Sequence, residues 1–287
     1  WATLVARWFE RRRAQALSIA STGLSVGGIL LTPLSASLIG DLGLSGATPW
    51  IALMYLLGCA PIALLIRANP FSMGLGPDGG KMHERVQDGG APRPGTPYPE
   101  AIRSNFFRFT VAAYLFVMLS QVGAFAHLFN LIATQASADT AATAIIVLAS
   151  ASVFGRLAGG WIASHYSLRS FTLAMMIGQA GALYLVSAGS SAEVLLAGSA
   201  LFGVTVGNTL MLMPLLFAQA FGVRDYPRIY SLGNMISTFG FAAGPISLGL
   251  VHDMFGGYGS SFAFAAAVSV ISAILFFAAG PVPRHDG

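Results

Sequence analysis

The chain has 287 residues, of which 55% are hydrophobic and only 9% charged, and its mean hydropathy is +0.71. Soluble domains carry roughly 25% charged residues, so this much apolar surface would have nothing to hide behind in water. The lone cysteine, Cys59, excludes an internal disulfide framework and a cysteine-built metal site. A net charge of +4 does not mark a nucleic-acid binder either, because the basic residues lie in short loops between apolar runs, a membrane pattern.

A bilayer core about 30 Å thick is crossed by about 20 apolar residues in a helix. Eight runs meet that requirement: Gln15 to Gly40, Pro49 to Ile66, Phe107 to Thr134, Thr140 to Ser164, Phe171 to Ser187, Glu193 to Phe221, Leu232 to Val251, and Phe262 to Ala279. They are continuous rather than alternating, which excludes barrel strands. The first is too long for a signal peptide and is followed by seven more. The expected fold class is an all-α integral membrane bundle.

The loops give the orientation. Arg7, Arg11, Arg12 and Arg13 precede the first run, and Arg67, Lys81, Arg85, Arg93, Arg103 and Arg108 separate the second from the third. Arg169, Arg224, Arg228 and Arg284 fall in later loops on the same side, whereas the opposite loops hold only Asp41, Asp139, Glu193 and Asp253 as charged groups. Positive charge stays inside, so both termini and the long loop are expected in the cytoplasm. Apart from Arg108 and Glu193 at the edges of their runs, Arg156 is the one residue of full charge within them.

Ala68 to Glu100 carries Pro70, Pro77, Pro92, Pro94, Pro97 and Pro99 without apolar periodicity and reads as a flexible linker. It divides the chain into a two-span part (1–67), a linker (68–105) and a six-span part (106–287). Internal similarity sharpens the division. Ser18 to Asp41 resembles Ser231 to Asp253, so two spans six helices apart are alike, and a six-helix repeating half follows. On that scheme four helices are expected upstream of Trp1, and the six spans form two inverted three-helix units.

Small residues recur four apart at Gly23 and Gly27, Gly155 and Gly159, Gly203 and Gly207, and Gly240 and Gly244, a spacing that lets backbones approach. Pro33, Pro61, Pro214 and Pro245 interrupt spans, either as ordinary packing features or as hinges. Gly23-Leu-Ser-Val-Gly27 has the spelling of a nucleophile elbow, but it lies inside a membrane helix rather than at a strand-to-helix turn. Gly74 to Gly79 spells a dinucleotide fingerprint with Pro77 in the wrong place. With no acid, metal cluster or credible nucleophile in a span, no enzyme and no cofactor are expected.

Arg156 has Ser152, Gly159 and Gly160 one turn away on its own face, which leaves room for a ligand carboxylate or for another backbone. Two readings stand: an anion anchor, or a side chain that snorkels or caps carbonyls of a neighbouring helix. Other polar residues share single faces: Gln121, His127 and Asn130 on the third run, Asn208 and Thr209 on the sixth, Asn234 with Ser237 and Thr238 on the seventh. These are either interhelical hydrogen-bonding pairs or the walls of one shared wet cavity.

Along nearly its whole length the chain resembles spans five to twelve of the major facilitator superfamily, a twelve-helix fold with its complete C-terminal half. Gly155-Arg-Leu-Ala-Gly-Gly-Trp-Ile-Ala-Ser-His165 is similar to the loop motif after the eighth span, with Ser164 where the family usually has Asp. Gly240-Phe-Ala-Ala-Gly-Pro245 resembles the glycine-proline motif of exchangers. Trp8-Phe9-Glu10-Arg11-Arg12-Arg13-Ala14-Gln15-Ala16-Leu17-Ser18 resembles the motif opening the fifth span of monocarboxylate porters, departing at Gln15 and Ser18. In those porters and in oxalate–formate antiporters an eighth-span arginine binds substrate carboxylate, and Arg156 falls at the matching place; Ser152 stands where the porters commonly carry an Asp.

The resemblance implies secondary active transport of a small organic anion by alternating access, with a coupled proton or counter-substrate and the lipid bilayer as partners, in a bacterial inner membrane. The expected substrate-binding residues are Arg156, Gln121, His127, Asn130, Asn208, Thr209, Asn234 and Thr238. The alternatives are a facilitator of neutral or amphipathic solutes with Arg156 structural, or a non-transporting membrane scaffold or sensor.

Overall fold

A computed structural model describes residues 2–67, 70–79 and 95–283. Most of the chain is helical: α1 (Ala2–Trp8), α2 (Arg13–Leu65), α3 (Tyr98–Arg103), α4 (Asn105–Gln135), α5 (Ala138–His165), α6 (Leu168–Ala188), α7 (Ala192–Phe221), α8 (Tyr226–Phe255) and α9 (Tyr258–Ala278). Among the described residues seven helices are long and apolar enough to cross a membrane, Ser37–Leu65 and α4 to α9.

The six runs from Phe107 onward fall on α4 to α9, each of which begins one to six residues before its run. Serine supplies the reason at four starts. Ser104, Ser137, Ser167 and Ser191 each accept a backbone N–H from three residues on, tying down a donor that the first helical turn leaves unpaired. At the far end of α8, Gly256 takes the left-handed conformation (φ 74°) that stops the helix.

The loop expected between the first two runs is reduced to a break at Gly43. Gly40 to Thr48 continues the helix, and only Gly43, at φ 68° and ψ 170°, leaves helical geometry. An uninterrupted 53-residue helix would be about 80 Å long at 1.5 Å per residue, far more than a bilayer core. Gly43 breaks it into two arms, of about 45 and 33 Å by the same rise. Apolar and small residues on both sides explain why nothing else interrupts the helix. The run Gln15 to Gly40 is the first arm and is helical; several of its side chains lie outside the described residues, among which the seven spans are counted.

The packing of α4 to α9 has an internal order. α4 lies against α8 as α7 lies against α5; α4 meets α9 as α7 meets α6; and α6 and α9 face each other. That is the pairing two equivalent three-helix units produce. The first arm of α2 packs on α5 and α7, where Leu17 and Ala14 join Ala163, Phe171, Met211 and Leu212 in one buried cluster.

Since lipid gives helices no hydrophobic drive to associate, close backbones and polar contacts must hold them. A Cβ added to Gly203 would strike the Leu148 carbonyl, at Gly207 that of Ser152, at Gly240 that of Leu115, and at Gly244 it would lie 2.5 Å from the Leu119 oxygen. Two of the four small-residue pairs are therefore backbone contacts; in a third, Gly155 meets the Val204 backbone and Gly159 the Asn208 side chain. Gly23 and Gly27 are not: among the described residues nothing lies within 4 Å of a Cβ at Gly23, and only Leu31 reaches 4.0 Å at Gly27. A buried polar knot adds to this. Gln179 Nε2 of α6 donates to Ser120 Oγ of α4 (2.8 Å) and Ser269 Oγ of α9 (3.1 Å), and the two serines bond at 2.8 Å.

The linker is docked at both described ends. Trp8 Nε1 donates to the Arg67 carbonyl (3.0 Å), and Asp78 Oδ2 accepts the backbone N–H groups of Arg11 (2.8 Å) and Glu10 (3.1 Å) at the turn before α2. At the other end Thr96 N donates to the Phe221 carbonyl (2.9 Å) and Tyr98 N to Asp225 Oδ2 (3.0 Å), at the α7–α8 turn. The remainder, 80–94 with residues 68 and 69, lies outside the described residues, as does Arg284.

Burial pushes the Asp78 carboxyl up, but the N–H groups of Arg11, Glu10 and Arg12 and the Arg12 charge outweigh it and hold it below its usual value. A lowered carboxylate pKa makes docking complete above the ordinary range near 3.9 and lost as pH falls through the lowered value. With Cys59→Ser, spin labels at positions 10 and 75 should give a short distance at pH 7 that lengthens in strong acid, and in Asp78→Asn already at neutral pH. A distance unmoved in Asp78→Asn would remove Asp78 as the holding group.

Candidate functional site

Arg156 sits midway along α5, and only 1% of its surface is accessible. Burying an unpaired guanidinium is costly, and the neighbouring backbones meet that cost. Nε donates to the Gly207 carbonyl of α7 (2.8 Å), Nη1 to the Ser21 carbonyl of α2, and Nη2 to Ser152 Oγ one turn back (3.2 Å). Its own carbonyl accepts from Ser18 Oγ of α2. One side chain thus joins three helices. Gly207 is what lets α7 bring its carbonyl so near, since any Cβ there would meet the Ser152 backbone.

Asn208 repeats the device one turn along the seam. Its Nδ2 donates to Gly155 O of α5 (3.0 Å) and to Val204 O of its own helix (2.9 Å), while Oδ1 is buried without a partner, against Gly159. Both residues serve helix–helix contacts.

A cavity of about 340 Å³ opens beside this seam. Ala20 and Ser21 come from α2, Tyr114 and Met118 from α4, Thr209, Leu210 and Met213 from α7, and Tyr230, Asn234 and Ser237 from α8. Its volume falls at the lower end of small-molecule sites, about 300–1,000 Å³. Among the described residues the lining is apolar with a few hydroxyls and one amide, and carries no charged side chain. Arg156 is not on the wall; it touches the cavity only through Ser21, whose carbonyl it holds.

Of the eight expected site residues, Thr209 and Asn234 line the cavity. His127 lies instead at the α4–α8 contact, its Nε2 3.0 Å from the Pro245 carbonyl. Gln121 is buried in α4 with Oε1 unpartnered. Asn130 is exposed near the end of α4, and Thr238 is exposed and donates to the Asn234 carbonyl (2.8 Å). The shared cavity therefore draws on α2, α4, α7 and α8, and the polar groups expected in it are spread over three places. Tyr114, Met118, Met213 and Tyr230 were not anticipated. Spacing carried the signal for one: Tyr230, Asn234 and Ser237, four and three apart, mark one face of α8.

Comparison with known proteins accords with this architecture. The family model described as Major Facilitator Superfamily matches residues 1–182 and 131–287. An "MFS transporter asaE" of Aspergillus flavus is 29% identical over 266 residues, covering 88% of this chain and 55% of that protein. An "MFS-type transporter 1" of an Ophiocordyceps species is 26% identical over 296 residues, covering 96% and 58%. The chain thus spans somewhat more than half the length of these relatives. Both are fungal, and they lend no support to a bacterial membrane.

Two solved structures share the fold. The fucose:proton symporter FucP of E. coli matches with a TM-score of 0.65 at 14% identity, covering 97% of this chain and 72% of its own. The human organic anion transporter TETRAN matches with a TM-score of 0.71 at 15% identity, covering 96% and 66%. With seven apolar helices of spanning length among the described residues, this is an integral, multi-pass membrane protein, and the chain belongs to the major facilitator superfamily, whose members carry solutes across membranes.

Proposed function

We propose that the chain forms part of a secondary transporter for a neutral or amphipathic solute, moved by alternating access, with Arg156 in a structural role. The observation that carries this reading is the disposition of charge. Among the described residues the cavity wall is uncharged, and the guanidinium is bonded to two backbone carbonyls and a serine hydroxyl. Three of the guanidinium's five N–H donors are thus bonded within the protein, and its side chain is buried behind Ser21 rather than on the wall. The positive-inside rule orients both ends of the chain and the linker towards the cytoplasm.

A second reading keeps the organic anion. Arg156 carries a full charge with no ion pair among the described residues, it bonds a residue on the cavity wall, and one protein of like fold is an organic anion transporter. Uptake of paired neutral and anionic solutes, normalised to surface protein, separates the two. In the neutral reading Arg156→Gln lowers the amount of folded protein, because two carbonyls lose their donors, while normalised uptake of neutral solutes stays within about twofold. Removing one partner of a buried charged hydrogen bond costs about 1.5–3 kcal/mol. Normal surface levels with anion uptake lost in both Arg156→Gln and Arg156→Lys would establish the anchor instead, since lysine lacks the planar fork.

A further inference from the structure

We propose that the wall formed by Tyr114, Thr209 and Ser237 reads a neutral group that both accepts and donates a hydrogen bond, an amide or a hydroxyl on the transported solute. This rests on the neutral-solute reading above and adds the functional group to it.

The argument is an inventory of protons. A serine or threonine hydroxyl has one proton and two lone pairs. Thr209 Oγ1 donates its proton to the Thr205 carbonyl (2.7 Å), and Ser237 Oγ donates to the Gly233 carbonyl (3.0 Å), each one turn back in its own helix. Both therefore meet the cavity as acceptors. Tyr114 is the opposite case. It is 2% exposed, it lines the same cavity, and its hydroxyl is buried with no partner among the described residues. A buried phenol in that state wants an acceptor, and the cavity is where one can come from.

Three ligand chemistries meet these groups differently. A carboxylate accepts from Tyr114 but has no proton for Thr209 or Ser237, whose lone pairs repel it. An ammonium donates to Thr209 and Ser237, gives Tyr114 no acceptor, and is repelled by the Arg156 charge behind Ser21. An amide or hydroxyl satisfies all three positions, with Met118, Leu210 and Met213 left to take hydrocarbon. Sites built to hydrogen-bond such a group discriminate strongly against analogues lacking it, because their own polar atoms are then left unpaired.

The test uses four probes on one skeleton: cyclohexanecarboxamide, its methyl ketone, its carboxylate, and cyclohexylmethylammonium. Binding to the purified chain in lipid nanodiscs is read by ligand-observed NMR, with empty nanodiscs subtracted. The amide should bind at least about tenfold more tightly than the ketone, and the two ions more weakly still. Thr209→Val, which removes an acceptor, should shrink the amide's advantage to under about threefold while leaving the ketone unchanged. Ser237→Ala on a different helix should do the same, and Tyr114→Phe should weaken both neutral probes. Ketone and amide binding equally, with the ions excluded, would overturn this inference and leave the neutral-solute reading intact. The carboxylate binding most tightly would overturn both. No probe binding above empty nanodiscs would overturn the inference, with the neutral-solute reading then judged by the uptake measurement alone.

Discussion

Gly240→Val should abolish the folded protein. A Cβ at this position would fall on the Leu115 carbonyl group and 3.2 Å from the Leu119 nitrogen, all of it backbone that cannot rotate away. α4 and α8 would have to separate along their length, breaking the neighbouring Gly244–Gly123 approach and the His127–Pro245 hydrogen bond with it. Overpacking inside a well-packed core typically costs about 1–3 kcal/mol; with two main chains in contact the cost belongs at or above the top of that range. Size-exclusion of a fluorescent fusion should show the monodisperse peak reduced more than tenfold. Gly23→Val is the control, since among the described residues nothing lies within 4 Å of a Cβ there. Equal yields from the two variants would mean that α4 and α8 are not in backbone contact.

The seam between α5 and α7 supports a prediction whose sign is unusual. Gly159→Ala puts a methyl group on the Asn208 amide, which cannot turn aside without giving up its bonds to Gly155 and Val204. The substitution should lower the melting temperature markedly. In an Asn208→Ala background the obstacle is gone, so the same change should cost little. Residues in contact couple by about 0.5–3 kcal/mol, and we expect a value above about 1 kcal/mol with the double variant more stable than the two single costs add up to. Additive melting shifts would mean that Asn208 does not occupy the space above Gly159.

The two predictions rest on features of very different legibility. Glycines four apart are visible in any sequence, and for Gly155, Gly203 and Gly240 the spacing did mark backbone contact. The identical spacing at Gly23 and Gly27 did not, because spacing says which face is smooth and nothing about what faces it. The bounds of α4 to α9 were readable since apolar runs of spanning length leave no other structure open in lipid. Gly43 falls in the interval left between the first two runs, next to Asp41, but composition does not show that one residue makes the whole break.

Arg156 was conspicuous as the one full charge away from the edge of a span, and two readings of it were available. The carbonyls of Ser21 and Gly207 that it bonds lie 135 and 51 positions away in the chain. No local pattern encodes that. Thr209 and Asn234 line the cavity, whereas Tyr114 and Met213 look like ordinary apolar or aromatic filling until four helices are set side by side.

The second arm of α2 has its own thermodynamics. From Tyr55 to Arg67 every residue is exposed, and the arm's main-chain bonds close within the helix, so its integrity draws nothing from α4 to α9. The bundle, with its polar knot and its glycine seams, is bound together by contacts that must be lost together. Denaturation of this chain is therefore not one all-or-none event. The arm should open and close on a scale set by the surrounding lipid, while the bundle holds. Cys59, the sole thiol and an exposed one, sits on that arm, and a probe attached to it would follow the independent element with no background from the cooperative one.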